Sequence, residues 1–156
     1  MVLETDAHGN ELLDVARGDA ARVASAEAPL TGALVIVTGP EGLLLVHDVW
    51  RDSWELAGGG IEAGESPEEA AVREVAEESG QVLAALRHVG RATFRLVADG
   101  RLEQADLFTG EVNEVEPFVA NKEIDGICWW DGTSPLSGLG AIDAELIRLV
   151  LCAGSS

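Results

Sequence analysis

From Gly59 to Gly80 the chain reads GGIEAGESPEEAAVREVAEESG, a stretch that marks both ends of a single helix. Ser66 is a good N-cap, Pro67 suits the first turn, and Glu69 can close a capping box with Ser66. Gly80 supplies the stop, because glycine readily takes the left-handed conformation that ends helices. The spacing predicts a helix of about four turns between them. At about 100° per residue, Glu74, Glu77 and Glu78 fall on one side. Ala71, Val72, Val75 and Ala76 cover much of the other side, which is expected to meet a core. Ala70, beside the carboxylates, is expected to leave space there.

Three carboxylates on one helical face repel one another. A like-charge pair four residues apart costs about 0.2–0.5 kcal/mol even when exposed. A hard divalent cation removes that cost, and Mg²⁺ prefers oxygen ligands shared between carboxylates and phosphates. Arg73 follows Glu69 at the favourable four-residue spacing and can also hold Glu65 or Glu77 in position. A merely solvated acidic helix would require neither the flanking glycines nor Arg73.

The fixed positions are Gly59, Glu65, Arg73-Glu74, Glu77-Glu78 and Gly80, with Val75 at an apolar position. They spell G-x5-E-x7-R-E-U-x-E-E-x-G, which resembles the signature of the Nudix hydrolase family. One departure is Gln81, where the family usually has an aliphatic residue. The resemblance implies an α/β (or α+β) fold, an α/β/α sandwich with a mixed sheet between helices. It implies a pyrophosphohydrolase that cleaves a diphosphate linkage with Mg²⁺ or Mn²⁺. Carried onto this chain, it makes Glu74, Glu77 and Glu78 the metal ligands, with Glu65 as a supporting ligand and a backbone carbonyl near Gly58 or Gly59 as another. A metal-bound water is more acidic than free water, so a carboxylate need only orient or deprotonate it. Glu77 is one candidate base. Glu123, from a loop beyond the helix, is the other, and the sequence leaves both open. Arg73 joins the catalytic set by holding the glutamates. Before the signature, Trp54-Glu55-Leu56-Ala57-Gly58-Gly59-Gly60 carries Ala57 where many family members have proline.

Composition narrows the partners. With 156 residues and 47% hydrophobic content, the chain suits one globular domain with a sizeable core. A formal net charge of −18 disfavours nucleic acid polymers and anionic membranes. An anionic substrate then needs metal ions and local arginines to reverse the field. No apolar run approaches a membrane span, and the acidic N-terminus lacks a signal layout, so a cytoplasmic protein is expected. Cys128 and Cys152 lack metal-site spacing and are expected to be buried, reduced thiols. His8, His47 and His88 are scattered and read as structural or surface residues.

Along the chain, Val2–Asp6 and Glu11–Val15 flank a turn and predict an N-terminal hairpin; residues 19–25 predict a short helix. Residues 1–28 are taken as an extension and residues 29–156 as the Nudix domain. Ala33–Thr38 and Leu43–Val49 predict a buried hairpin. Leu83–Val97 predicts a long strand kinked at Gly90, with Glu103–Val112 as its partner. Ile127–Asp131 predicts a last strand, with Trp129 and Trp130 on opposite faces. Ile142–Cys152 predicts an amphipathic closing helix.

Substrate recognition lies outside the signature. The chain has no tyrosine, which disfavours the dinucleoside polyphosphate branch of the family. The expected substrate is a nucleoside di- or triphosphate, or a related nucleoside diphosphate derivative. The expected contacts are Arg51 and Arg95 for phosphate, and Trp54 and Phe108 for stacking, chosen from a set that also holds Trp50, Phe94, Arg91 and Lys122. The alternative function is a catalytically silent Nudix-like domain that senses a nucleotide, although such domains often lose glutamates that this chain retains. The isoprenoid diphosphate isomerase branch is disfavoured by the intact signature and the lack of a catalytic cysteine motif. A homodimer is left open.

Overall fold

The computed structural model describes residues 1–22 and 27–153. The elements are β1 (Glu4–Thr5), β2 (Glu11–Arg17), a 3₁₀ turn (Asp19–Arg22), β3 (Leu30–Gly39), β4 (Gly42–Asp48), β5 (Ser53–Glu55), β6 (Ala57–Gly60), α1 (Pro67–Ser79), β7 (Ala85–Arg95), β8 (Leu102–Glu111), β9 (Ile124–Trp130) and α2 (Ala141–Ala153). The strands form one mixed sheet in the order β1-β2-β7-β8-β3-β4-β5, with β6 on β3 and β9 on β4. The β3–β8 pairing is parallel, and the other pairings are antiparallel.

The sheet lies between the two helices. On one side Ala70, Ala71 and Val75 of α1 pack with Val35, Val37 and Phe108. On the other, Ile142, Leu146 and Ile147 of α2 pack with Leu12, Leu45 and Leu107. This is the expected α/β/α sandwich. Trp129 borders the first cluster and Trp130 the second, as strand alternation requires. Among the described residues no helix is long and apolar enough to cross a membrane.

Local chemistry sets the ends of α1 as expected. Ser66 and Glu69 form the reciprocal capping box, and Gly80 ends the helix at φ 76°. The core-facing side is rotated from expectation. Ala70, Ala71, Val75 and Ser79 are buried, whereas Val72 and Ala76 are exposed. Ala70 therefore fills the core instead of leaving room beside the carboxylates.

Tertiary pairing modifies or extends several local expectations. The β3–β4 hairpin is paired only next to its turn, at Thr38–Leu43 and Gly39–Gly42. Beyond that, β3 pairs with β6 and β8 while β4 pairs with β5 and β9. The segment around Trp54–Gly60 forms two strands, β5 paired with β4 and β6 whose glycines pair in register with β3. The N-terminal hairpin joins the sheet, since β2 pairs with β7. The short helix is a 3₁₀ turn over Asp19–Arg22, and the remainder of the expected helix lies outside the described residues. The kink at Gly90 is present as an irregularity in the β7–β8 register. Cys128 is partly buried but Cys152 is exposed, because it lies near the end of α2 beyond the core contacts.

Candidate active site

The helix α1 lies against β6, so its carboxylates face a glycine strand. Gly58 donates its backbone N–H to Glu78 at 2.8 Å. At Gly59 a Cβ would lie 2.6 Å from the Glu74 carboxylate, so any side chain there would displace that carboxylate. Glu74, Glu78, Glu123, Asp48, Trp50, Arg51 and Gly58–Gly60 line a cavity of about 340 Å³. A second opening on the same helix is formed by Glu74, Glu77, Glu78, Asn121, Lys122 and Glu123.

Arg73 organises the carboxylates. Its Nε and Nη2 donate to Glu65 at 2.7 and 2.8 Å. Its Nη1 donates to Glu74 at 2.9 Å and to Glu77 at 3.1 Å, and Nη2 also donates to the Gly60 carbonyl at 2.9 Å. These contacts hold the Glu65 carboxyl down at about 2, chiefly through the Arg73 hydrogen bond. They also raise the Arg73 guanidinium further above its already high value.

The carboxyls facing the cavity behave in the opposite way. Burial pushes Glu78 up to about 8, against the Gly58 hydrogen bond, and the charges of Glu74 and Glu123 add to the rise. Burial likewise raises Glu74, opposed by Arg73. Glu77 and Glu78 also stand in the last turn of α1, at the negative end of the helix dipole, with no basic residue there. The cluster therefore favours either a proton or a cation.

The donor set fits a hard divalent ion: carboxylate oxygens from Glu74, Glu78 and Glu123 converge on one cavity. Among the described residues no three acidic, His or Cys side chains form a ready-made cage. Arg73 and the Gly58 N–H hold Glu74, Glu77 and Glu78 instead. A cation would compete with these two groups for carboxylates that already face one space.

A larger pocket of about 540 Å³ adjoins this cavity and shares Arg51, Gly58–Gly60 and Glu78 with it. Its walls bring together Asp6 and Asn10 of the N-terminal turn, Leu34, Phe94, Leu96 and Asp143. Asp143 accepts the Leu56 N–H at 3.0 Å, and burial pushes its carboxyl up to about 7. At neutral pH it can therefore donate or accept a hydrogen bond.

The expected site residues divide into two groups. Glu74, Glu78, Gly59, Glu123 and Arg51 are gathered at the carboxylate cavity, with Glu77 exposed at its second opening. Arg51 is bound to Asp48 and Glu55, each at 2.8 Å, and spans both spaces. Glu65 lies outside both, because Arg73 takes its carboxylate. Phe108 is a correction: it is fully buried in the core with its ring against His88, so no face is free to stack. Trp54 lines neither space; its partly buried ring makes an edge contact with His47 at 5.1 Å and borders the α2 core. Arg95 lines neither space and pairs with Glu11 at 3.4 Å.

Asp48, Glu55 and Asp143 were missed. Asp48 and Glu55 flank Arg51 closely in sequence, and that charge pattern was a usable signal. Asp143 reads in sequence as an ordinary first-turn acid of α2.

The family model described as the NUDIX domain matches residues 28–149. A Bacillus subtilis (strain 168) protein assigned as a candidate 8-oxo-dGTP diphosphatase is 34% identical over 102 residues, covering 63% of this chain and 64% of that protein. A Danio rerio oxidized purine nucleoside triphosphate hydrolase is 32% identical over 87 residues, covering 54% of this chain and 56% of that protein. The matched region thus spans less than two thirds of either relative. The crystal structure of Bacillus subtilis pyrophosphohydrolase BsRppH, a point mutant, superposes with a TM-score of 0.73 at 19% identity, over 99% of this chain and 98% of that one. A MutT protein from Methanosarcina mazei Go1 gives 0.65 at 18% identity, over 85% and 100%.

Proposed function

We propose, from the premise that the chain belongs to the NUDIX domain family, that it hydrolyses a diphosphate linkage in a nucleoside di- or triphosphate or a related nucleoside diphosphate derivative. The observation that carries this reading is the junction of two spaces at Gly58–Gly60: one lined by carboxylates, the other larger and mixed in character. The first suits phosphates and cations, and the second suits a base and sugar. The oxidised purine triphosphates named for two relatives make a purine nucleoside triphosphate the first substrate to try.

Glu74, Glu78 and Glu123 would hold Mg²⁺ or Mn²⁺, which when bound would acidify a water and neutralise charge on the departing phosphate. The chain's own residues do the remaining work. Arg73 is a positioning residue that fixes Glu74 and Glu77 from behind. Glu77 or Glu123 takes the proton of the attacking water on a carboxylate oxygen. Gly58 and Gly59 bring the backbone close enough for phosphate to lie over β6. Asp143 offers the base a hydrogen-bonding carboxyl at the far wall, and Phe94 and Leu96 offer it apolar surface.

The test is a nucleotide panel incubated with Mg²⁺ or Mn²⁺ in ¹⁸O-labelled water, with products identified by mass. The expected products are a nucleoside monophosphate with pyrophosphate, or a diphosphate with phosphate. Release of phosphate from nucleoside monophosphates, with every diphosphate untouched, would sink the proposal.

A further inference from the structure

Lys122 has no part in the mechanism above, and it is the chain's only lysine. It lines the second opening beside Glu74, Glu77, Glu78 and Glu123. Even so, its exposed ammonium enters no salt bridge or side-chain hydrogen bond among the described residues. Arg51, the basic residue of the other two spaces, is already bound to Asp48 and Glu55. The loop beneath Lys122 is held without its side chain. Asn121 Oδ1 accepts the N–H groups of Glu123 and Ile124 at 3.0 and 2.9 Å. Asn121 Nδ2 donates to the Glu77 carbonyl in the last turn of α1 at 3.4 Å. The Glu123 carbonyl accepts the Val49 N–H, just after β4, at 2.8 Å. The neighbours on both sides of Lys122 are therefore fixed. An ammonium has three donors and a compact charge, and here the fold uses none of them.

The order of the spaces gives that charge a use. The larger pocket shares Arg51, Gly58–Gly60 and Glu78 with the carboxylate cavity, and the cavity shares Glu74, Glu78 and Glu123 with the second opening. A substrate with its nucleoside in the larger pocket and its phosphates over β6 thus points its distal phosphate at the second opening. Hydrolysis bonds the water oxygen to one phosphorus, breaks the bridging P–O bond and leaves that bond's electron pair on the other phosphate. The base takes the water's proton, so the distal product is an inorganic phosphate or pyrophosphate anion whichever phosphorus is attacked. That anion forms among carboxylates, where Lys122 is the basic side chain at hand. We propose that the second opening is the subsite for this inorganic product, and that Lys122 binds it through charge-assisted hydrogen bonds from its ammonium. This rests on the diphosphate-hydrolase reading and adds a route to it. The nucleotide product leaves through the larger pocket, and the inorganic product leaves past Lys122.

The experiment uses imidodiphosphate, a pyrophosphate analogue that resists hydrolysis, and a purine nucleoside monophosphate. Both are titrated calorimetrically, with Mg²⁺, into the wild type, Lys122→Ala and Lys122→Arg. Lys122→Ala is expected to weaken imidodiphosphate about tenfold, the range of one hydrogen bond to a charged group. It should leave the monophosphate within about twofold. Lys122→Arg should keep most of the imidodiphosphate affinity, because it retains the charge and the reach. Equal weakening of both ligands, no weakening of either, equal loss in Lys122→Arg and Lys122→Ala, or no binding of imidodiphosphate to the wild type would overturn the subsite. Hydrolysis is scored separately with the natural nucleotides. Failure of turnover there overturns the hydrolase reading, while the ratio of the two affinities still decides Lys122.

Discussion

The two adjoining spaces of the site share a glycine floor but differ in how they are assembled. The carboxylate cavity draws Glu74 and Glu78 from one helix, Gly58–Gly60 from the strand it packs on, and Glu123 from one distant loop. The larger pocket draws on the N-terminal turn, β3, β6, β7, β8 and α2. In the first, helical periodicity aligns Glu74 and Glu78, and the packing of the helix on β6 adds the rest. In the second, no two elements suffice, and the defining acid, Asp143, meets its backbone partner Leu56 across 87 residues. The contrast is between a space built mainly on one local motif and a space that exists only once the whole sandwich has closed.

The strongest way to break this comparison is Glu78→Gln. Loss of a ligand charge should lower turnover by roughly 10²–10⁴-fold at saturating Mg²⁺. The protein should still fold, because glutamine is uncharged in a buried place and keeps an acceptor for the Gly58 N–H. Near-normal turnover with an unchanged melt would remove the cavity from the chemistry.

Asp143→Asn tests the other space. Its effect should fall on KM for the nucleotide, about tenfold, with kcat moved far less. The same variant has a stability signature. The folded carboxyl is raised to about 7 from an ordinary 3.8, so the native state holds more protons between those values. Its contribution is fully present below the unfolded value and is lost as pH rises to about 7. Thermal melts of the wild type should show this fall between those limits, and Asp143→Asn should lack it. Parallel melting curves for the two proteins would show that Asp143 is not the buried acid described.

A smaller effect should come from metal itself. A ligand at a hundredfold its Kd stabilises by about 2.7 kcal/mol, so millimolar Mg²⁺ should raise Tm by several degrees. NaCl at equal ionic strength should give less, and Glu74→Gln with Glu78→Gln should abolish the difference. If NaCl reproduces the whole shift, screening of the −18 charge accounts for it.

The smallest change is expected at Arg95. It pairs with Glu11 on the β2–β7 surface, so Arg95→Ala should alter kcat/KM by less than about twofold. A loss above tenfold would extend the larger pocket beyond its present walls.

Some features were legible because their causes are local. Ser66, Pro67, Glu69 and Gly80 marked the ends of α1, since caps act over a few residues. Gly90 marked an irregular pairing, and Trp129 and Trp130 separated to opposite faces. The exact core side of α1 was less clear, because small residues lie all round it and only packing chose Ala70 over Ala76. Aromatic roles were least legible. Phe108 and Trp54 have the right chemistry for stacking, but core packing claims Phe108 and Trp54 turns to the α2 side, whereas Trp50 is left in solvent.

By itself, then, the sequence determined a capped helix, its carboxylate face, the glycines beside it and the arginine that steadies them. These follow from dihedral preference, helical period and short-range charge, which need no knowledge of the rest of the chain. Only the tertiary structure decided that β3 and β4 part beyond their turn, that Glu123 meets Glu74 and Glu78, and that Asp143 is buried beside Leu56. Those outcomes depend on strand register and on which surfaces the two helices bury. Such long-range choices are made by the free energy of the whole sandwich and leave no pattern within any one segment.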